Sequence, residues 1–209
     1  MSLPAIVLAA GASRRLGQPK QLVRIEGETL LERTIRIVRG TGGGPVCVVL
    51  GAHADRILSE AALTNVFVVR NEGWEQGMAS SIRAGIDWFE EHVKDASGVM
   101  LLVCDQPRLT LEHLNALIAR FDETSSAKVV ASSYAGIRGV PAIFPRAAFA
   151  KLMGLQGDQG ARRLLQALGS DATEVAFESA ATDIDTPEEL TSYLAEIRGA
   201  PSARGRGRS

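Results

Sequence analysis

Residues 3–20 read LPAIVLAAGASRRLGQPK, an apolar segment that leads directly into a loop of small, polar and basic residues. A short apolar run that ends in glycine is typical of a buried β-strand followed by a turn. The loop gathers backbone amides, Ser13, two arginines and Lys20, and such groups bind polyphosphates. Its spacing fits neither a Walker A loop nor a GxGxxG dinucleotide loop. A solvated basic loop is the alternative interpretation.

Further apolar runs follow this first segment at 46–50, 66–69, 99–104 and 129–132. Near-continuous apolar strands are typical of a parallel sheet that is covered on both faces. Apolar residues at helical spacing lie between them, at 30–38, 80–93 and 111–121. The alternation predicts one α/β domain with a three-layer, doubly wound and mostly parallel sheet. In such folds ligands bind at the edge that carries the loops after the strands.

The pattern changes after residue 134. A stretch with glycine and proline, 136–145, holds a short apolar segment at 142–144, and helical patterns follow at 147–155 and 160–168. A short strand is predicted at 174–177. The last helix begins with Thr186-Pro187-Glu188-Glu189, where Thr186 is the expected N-cap. We predict a domain over 1–198 and a disordered Arg- and Gly-rich tail over 199–209.

Composition narrows the function classes. The chain has 209 residues, 45% of them hydrophobic, and a formal net charge of −1, so no overall positive field favours nucleic acid or membrane as a partner. No signal peptide or membrane-spanning run is visible. Cys47 and Cys104 lie in apolar runs and are predicted to be buried core residues rather than a disulfide or metal motif. These features favour the reducing cytoplasm.

Two later segments add candidate binding groups. Asp105 follows the most apolar predicted strand, and a carboxylate there is costly unless it is paired or bound to a cation. Mg²⁺ prefers such oxygen ligands beside phosphate, although Asp105 could instead cap the following turn. Gly77, Ser80 and Ser81 open a predicted helix, whose N-terminus and hydroxyls suit an anionic ligand. An ordinary serine N-cap is the alternative there.

The first loop resembles the signature of the nucleotidyltransferase superfamily that includes the MobA-like molybdenum-cofactor guanylyl- and cytidylyltransferases. That signature reads roughly L-A-[AG]-G-x-S-x-R-x-G-x-x-K, and its fixed positions are matched by Leu8, Ala9, Ala10, Gly11, Ser13, Arg15, Gly17 and Lys20. Weaker similarities follow in family order at 71–82, 105–107, 138–144, 157–162 and 183–189. Ala79 departs from the usual serine, which removes one hydroxyl near the base. The resemblance covers residues 4–195 and implies the Rossmann-like nucleotidyltransferase fold.

The resemblance also implies roles for individual residues. The catalytic group would be Arg15, Lys20 and Asp105, of which Arg15 and Lys20 hold the triphosphate. The nucleotide would contact Leu8, Ala9, Ala10, Gly11, Ser13, Arg15, Lys20, Gly77, Ser81 and Asp105. The acceptor would contact Gly139, Pro141, Asp158 and Arg162, and Asp105 and Asp185 would hold Mg²⁺. A glycine-proline turn is the alternative for Gly139 and Pro141, as an acidic helix cap is for Asp158 and Asp185. Arg14 falls on a variable position.

Ala9-Ala10 and the stretch 157–162 resemble the cytidylyltransferase branch, because the guanylyl branch usually has glycine in place of Ala10. The resemblance therefore implies transfer of CMP from CTP to the phosphate of a molybdopterin-type cofactor, with a client molybdoenzyme as a further partner. Use of GTP, a sugar or polyol phosphate acceptor, a non-catalytic molybdopterin-binding or delivery role, and a redox enzyme of the same fold are the alternatives. His53, His92 and His113 receive no role, and His92 and His113 are predicted to lie on helix surfaces.

Overall fold

A computed structural model describes residues 3–178 and 183–199. The elements in chain order are β1 Ala5–Ala9, β2 Arg24–Ile25, β3 Glu28–Thr29, α1 Leu30–Gly40, β4 Val46–Leu50, α2 Ala54–Glu60, β5 Phe67–Arg70, α3 Met78–His92, β6 Gly98–Val103, α4 Leu111–Glu123, β7 Val129–Tyr134, β8 Ile137–Pro145, α5 Phe149–Met153, α6 Ala161–Ala167, β9 Ala172–Ala176 and α7 Pro187–Gly199. Short 3₁₀ turns lie at Lys20–Leu22, Trp74–Gln76, Arg146–Ala148 and Gly169–Asp171.

A seven-stranded sheet with the order β5-β4-β1-β6-β8-β7-β9 forms the centre of the fold. β1 pairs in parallel with β4 and β6, β4 with β5, and β7 with β9. Only β8 runs antiparallel to its neighbours β6 and β7 within this sheet. The predicted doubly wound and mostly parallel α/β sheet is confirmed.

Two apolar layers cover the two faces of this sheet. Val7 of β1 belongs to the layer that contains buried residues of α1, α2 and α4, whereas Leu8 belongs to the layer with α3, α5 and α6. This division follows from the alternation of side chains along a strand. A smaller cluster joins Ile25, Ile184 and Tyr193, so that α7 packs near β2. Because both faces are covered, the central strands are apolar throughout.

Local capping sets the starts of α1 and α7. Thr29 Oγ1 accepts from the backbone N of Glu32, while Glu32 accepts from the backbone N of Thr29. Thr186 and Glu189 make the same reciprocal pair, as expected for an N-cap at Thr186. α7 includes Gly199, one residue beyond the predicted domain boundary. The rest of the predicted tail, 200–209, lies outside the described residues.

One local prediction requires correction, and two elements were missed. β5 is an edge strand, with Phe67 50% exposed, so this apolar run is not buried on both faces. The stretch 136–145 forms most of the long strand β8, because a tight turn with positive φ at Ala135 and Gly136 folds the chain back onto β7. α2 was not predicted from the sequence.

None of the helices within residues 3–178 and 183–199 is long and apolar enough to cross a bilayer.

The centre of the sheet brings the two main motifs together. β1 and β6 are adjacent, with Leu8 opposite Val103. From β1 the chain continues to β4 and β5 on one side of β1, and then crosses to β6 on the other side. The strand order therefore reverses between β1 and β6. A ligand crevice forms at such a reversal, outside the carboxyl ends of the strands. The loop at 11–20 and the segment that begins with Asp105 both start at this edge.

Candidate active site

The loop after β1 is closed by its own side chains. Ser13 Oγ accepts a hydrogen bond from the backbone N of Lys20 at 3.0 Å, and Ser13 has a left-handed backbone with φ of 52°. The fully buried Gln21 donates through Nε2 to the carbonyl oxygens of Ala9 at 2.8 Å and Gly11 at 3.0 Å. Ser13, predicted as a nucleotide contact, therefore also shapes the loop.

Four charged side chains meet beside this loop. Lys20 Nζ contacts Asp105 Oδ2 and lies 3.1 Å from Asp185 Oδ1. Arg15 donates to Asp185 Oδ2 at 2.5 Å, with 70% of its own side chain exposed. Burial alone would lower the pKa of Lys20, but the adjacent Asp105 carboxylate outweighs this effect and raises it. Lys20 therefore remains protonated, and Lys20 and Arg15 together balance the charges of the two carboxylates.

The segment before α7 is tied to the loop after β6. Ile184 is fully buried, and its backbone N donates to the carbonyl oxygen of Asp105 at 3.1 Å. Glu189 accepts from the backbone N of Asp185 at 2.8 Å. These bonds place the Asp185 carboxylate opposite Asp105. Burial and the negative charges of Asp105 and Asp185 raise the pKa of Asp183 to about 7.

A cavity of about 410 Å³ opens next to the charged cluster. Arg14 lines this cavity, whereas Arg15 does not and is turned towards Asp185. Of the predicted nucleotide contacts, the cavity is lined by Leu8, Ala9, Ala10, Gly11, Ser13, Lys20, Gly77, Ser81 and Asp105. The structure therefore brings these residues to one place. It also adds Arg14, which the sequence analysis did not select because it falls on a variable position of the signature.

The start of α3 differs from the predicted open helix N-terminus. The backbone N of Ala79 donates to the carbonyl oxygen of Gly157 at 3.0 Å, so this amide is already paired. Gly77 has φ of 94°, and a Cβ on it would overlap the Gly157 backbone. The stretch 157–162 thus packs directly on the helix start. This contact joins sequence segments that pattern analysis treats separately.

Hydroxyl groups at the start of α3 are held by Asn71. Its Nδ2 donates to Ser80 Oγ at 2.8 Å and to Ser81 Oγ at 3.0 Å. Ser80 donates in turn to the carbonyl oxygen of Gly77 at 2.8 Å. Ser81 lines the cavity and makes no hydrogen bond through its own proton to any group in the described part of the chain. The Ser81 hydroxyl can therefore donate a hydrogen bond to a ligand in the cavity.

The predicted acceptor residues divide between two places. Asp158 lines the cavity beside Gly77, so it lies with the predicted nucleotide contacts and not with Gly139 and Pro141, contrary to expectation. The reason is the packing of 157–162 against α3. Gly139 and Pro141 lie on β8, next to β6.

The Tyr134 side chain packs directly on Gly139 of β8. The contact is so close that a Cβ on Gly139 would overlap the tyrosine hydroxyl. Burial and the negative charge of Asp183 raise the pKa of Tyr134, and the positive charge of Arg162 opposes this. Arg162 therefore lies near Tyr134. Tyr134 carried no sequence signal beyond its place at the end of a strand.

The donor set fits a divalent cation. Asp105 Oδ1 is buried and has no hydrogen-bond partner in the described part of the chain. Asp105 and Asp185 offer hard carboxylate oxygens beside a cationic loop, and Mg²⁺ binds through one or two carboxylates together with phosphate oxygens. Among residues 3–178 and 183–199, no three His, Cys, Asp or Glu side chains are grouped as a complete metal site.

His113 was predicted on a helix surface, and this is wrong. It is buried on α4, with its ring stacked on Phe177 at a centroid distance of 3.9 Å and Nε2 2.7 Å from Ser132 Oγ. Burial lowers the pKa of His113 to about 4. A signal was present, because His113 lies four residues before Leu117 and thus on the apolar stripe of α4.

Gln21, Asn71 and Gln106 are buried polar residues that sequence analysis also missed. Each lies within or beside a motif, but a single glutamine or asparagine has no spacing that distinguishes a buried donor from a solvated one. The two cysteines, Cys47 and Cys104, are buried and unpaired as predicted. Burial raises the pKa of each thiol to about 12.

Comparison with known proteins identifies the family. Residues 5–173 match the MobA-like NTP transferase domain. The purine catabolism protein PucB of Bacillus subtilis is 34% identical over 202 residues, which cover 90% of this chain and 93% of PucB. The chain belongs to the MobA-like NTP transferase family. This membership confirms the predicted resemblance and the prediction of a nucleotidyltransferase.

Other relatives of this MobA-like chain carry different names. Nicotine blue oxidoreductase of Paenarthrobacter nicotinovorans is 29% identical over 202 residues, covering 90% of this chain and 95% of that protein. A probable molybdenum cofactor guanylyltransferase of Synechococcus elongatus is 34% identical over 119 residues, covering 56% of this chain and 57% of its relative.

Solved structures that are similar to this chain show the same fold. The crystal structure of Rv0371c from Mycobacterium tuberculosis superposes with a TM-score of 0.79 at 30% identity, covering 93% of this chain and 98% of that chain. A second structure of Rv0371c, a complex with manganese, has a TM-score of 0.76 at 27% identity and covers 93% of this chain and 99% of that one.

Proposed function

We propose that this nucleotidyltransferase transfers CMP from CTP to the phosphate of a molybdopterin-type cofactor and releases pyrophosphate. The observation that carries the proposal is the grouping of Lys20, Asp105 and Asp185 at one end of a cavity walled by Ala9 and Ala10. Charged groups that would suit phosphate and a cation thus adjoin apolar walls that would suit a base. The molybdenum cofactor guanylyltransferase of Synechococcus elongatus supports the choice of acceptor.

The reaction follows from this placement. An oxygen of the acceptor phosphate attacks the α-phosphorus of CTP, and the bond from that phosphorus to the bridging oxygen of pyrophosphate breaks in line. Lys20 and Arg14 at the cavity, together with Arg15 beside Asp185, offset the negative charge that builds on the leaving group. A phosphate monoester is already anionic near neutral pH, so the acceptor needs no general base. The chain's contribution is alignment and charge neutralisation.

Asp105 and Asp185 would hold Mg²⁺ beside the triphosphate. When bound, the cation supplies positive charge to the phosphate oxygens. The unpaired Oδ1 of Asp105 and the manganese complex of Rv0371c support a divalent cation here. Asp105 and Asp185 are each held in place by the chain, since Ile184 N binds the Asp105 carbonyl oxygen. Their separation is thus set by β6 and α7 together.

The choice of CTP rests on the wall at Ala10. This residue is buried and lines the cavity. Ala10 cannot move away from the cavity towards Gly51, because the two residues are in close contact. A Cβ on Gly51 would lie 2.9 Å from the Ala10 Cβ. The methyl group therefore reduces the space for a base and favours a pyrimidine over a purine.

Two buried, unpaired cysteines suit the reducing cytoplasm, and we place the reaction there.

Equilibrium binding of the four magnesium NTPs to the wild type and to Ala10→Gly tests this choice. We expect CTP to bind most tightly to the wild type, and GTP to gain roughly tenfold or more in affinity in Ala10→Gly, which equals about 1.4 kcal/mol. Ala96→Gly, in the loop before β6 and outside the lining of the cavity, is the matched control. Retention of GTP but not CTP by the wild type would exclude the cytidylyl assignment.

An acceptor panel separates the remaining alternatives. Pyrophosphate release with a sugar or polyol phosphate, but not with molybdopterin-type cofactor, would assign the enzyme to another acceptor class. Tight cofactor binding without any pyrophosphate release would indicate a delivery protein. Oxidation or reduction of nicotine blue, without NTP turnover, would favour the activity named for nicotine blue oxidoreductase.

A further inference from the structure

Two carbonyl groups of β8 lie outside the backbone ladder. The pairing of β8 with β6 ends at Ala142. On the other side, Ala131 pairs with Ala142 but the next residue, Ser132, pairs with Gly139. This bulge skips Val140 and Pro141. Because buried backbone carbonyls are costly when unpaired, these two need partners from elsewhere, and bulges of this kind are frequent next to active sites.

Buried side chains supply both partners. Gln106 Nε2 donates to the carbonyl oxygen of Val140 at 3.0 Å, and Ser132 Oγ donates to that of Pro141 at 2.6 Å. Gln106 is 4% exposed and Ser132 is fully buried. Since the Ser132 proton is directed to Pro141, His113 Nε2 is the donor in its 2.7 Å contact with Ser132 Oγ. The segment 139–141 is thus fixed by side chains of the β6 loop, β7 and α4.

Gln106 links this segment to the charged cluster, because it directly follows Asp105. Its other amide atom, Oε1, is buried without a partner in the described part of the chain. An apolar side chain of similar size would avoid the cost of that unpaired oxygen. The hydrogen bond from Nε2 therefore explains why a glutamine stands here. It holds the Val140 carbonyl group at a fixed distance from Asp105.

We propose that Gln106 and Ser132 are positioning residues that fix the segment 139–141 relative to Asp105, so that the acceptor phosphate is aligned with the nucleotide. His113 supports Ser132 in this role. The proposal rests on the proposed function for its substrate, since 139–141 is the predicted acceptor side. Neither residue lines the nucleotide cavity, so we expect NTP binding to be unchanged when either is substituted.

Steady-state kinetics of Gln106→Met and Ser132→Ala test the proposal. Both variants remove a donor with little change in volume. We expect the acceptor KM to rise, or kcat to fall, by roughly tenfold or more, as for a small misplacement of a substrate, while the KM for CTP stays within about twofold. Ser132→Cys, which keeps a weak donor, is expected to lie between the wild type and Ser132→Ala. Parallel loss in both KM values, or no loss, would overturn the proposal.

Amide hydrogen exchange provides a readout that needs no acceptor. In both variants we expect faster exchange at residues 138–140 and 142, with unchanged exchange in the loop at 11–20. Wild-type enzyme that transfers nothing to molybdopterin-type cofactor would refute the proposed function, and the exchange result would still decide the positioning role. Unchanged exchange at 138–142 in both variants would refute that role, whichever acceptor is used.

Discussion

The ammonium group of Lys20 contacts the carboxylate of Asp105, although 85 residues separate them in the chain. The contact exists because β1 and β6, which precede the two residues, are neighbours in the sheet. The same ammonium lies 3.1 Å from Asp185. One ammonium group thus lies between the two carboxylates that are candidates for a metal ion, and Asp185 is also paired with Arg15.

Asp105→Asn is expected to lower kcat with CTP and acceptor by roughly 100- to 1,000-fold, as for the loss of one preorganised electrostatic group. The amide keeps the size of the side chain but removes its charge, so the fold should persist. Initial rates of pyrophosphate release measure the effect. Asp122→Asn, on the exposed face of α4, is the matched control, and equal activity of the two variants would remove Asp105 from the catalytic group.

Lys20→Met leaves Asp105 and Asp185 without their shared cation. Because both carboxylates are only partly exposed, we expect the free energy of unfolding to fall by about 1–3 kcal/mol, less than for a fully buried pair. Added Mg²⁺ should restore stability in the variant more than in the wild type, since it can now neutralise both carboxylates. Thermal unfolding with and without MgCl₂ tests this, and equal responses would argue against a cation site here.

Gly11→Ala tests whether the space above the first loop belongs to a ligand. A Cβ on Gly11 would meet no protein atom within 4 Å, so the free energy of unfolding should be unchanged or up to about 1 kcal/mol higher. The methyl group would nevertheless enter the cavity, and we expect CTP affinity to fall roughly tenfold or more. Calorimetric titration measures this. Gly154→Ala serves as the control, and normal CTP binding by Gly11→Ala would place the phosphates elsewhere.

His113 makes stability depend on pH. Its pKa is lowered by burial from 6.5 to about 4, so between these values the unfolded chain binds a proton that the folded chain does not. The free energy of unfolding should therefore fall as pH falls through this window, by up to about 1.4 kcal/mol per pH unit. Chemical denaturation of the wild type and His113→Gln at pH 7, 6, 5 and 4.5 measures the difference.

Asp183 contributes with the opposite sign. Its raised pKa of about 7 means that the folded chain holds a proton which the unfolded chain releases, so this contribution falls as pH rises. Both proteins contain Asp183, and the comparison of wild type with His113→Gln therefore isolates the imidazole. His92→Gln, at an exposed position, is the control. A pH profile of His113→Gln parallel to that of the wild type would contradict a neutral, buried His113.

The central strands and the first loop were predictable because their chemistry is local. Residues 5–9 are apolar without interruption, and Gly11 to Lys20 concentrate small and basic residues in a spacing that few loops share. The cap at Thr186 was equally local. A pattern of this kind is decided by neighbours in the chain, and the structure places these elements where the pattern indicates.

Features that depend on tertiary partners were not predictable. Phe67 lies in an apolar run like those of the core strands, and only the strand order places it at an edge. Asp158 was predicted on the acceptor side, but packing of Gly157 on Gly77 sets it in the cavity. Gln106 donates to the Val140 carbonyl oxygen, which is left without a backbone partner only because of the bulge in β8. Each of these outcomes is decided by contacts between distant segments.

The most direct test of the account is transfer of label from [α-³²P]CTP to molybdopterin-type cofactor in the presence of Mg²⁺, with the other α-labelled NTPs in parallel. The account predicts a labelled cofactor product that forms with CTP, requires both Mg²⁺ and Asp105, and appears together with an equal amount of pyrophosphate. Folded protein with intact cofactor that transfers label from none of the four NTPs would contradict it.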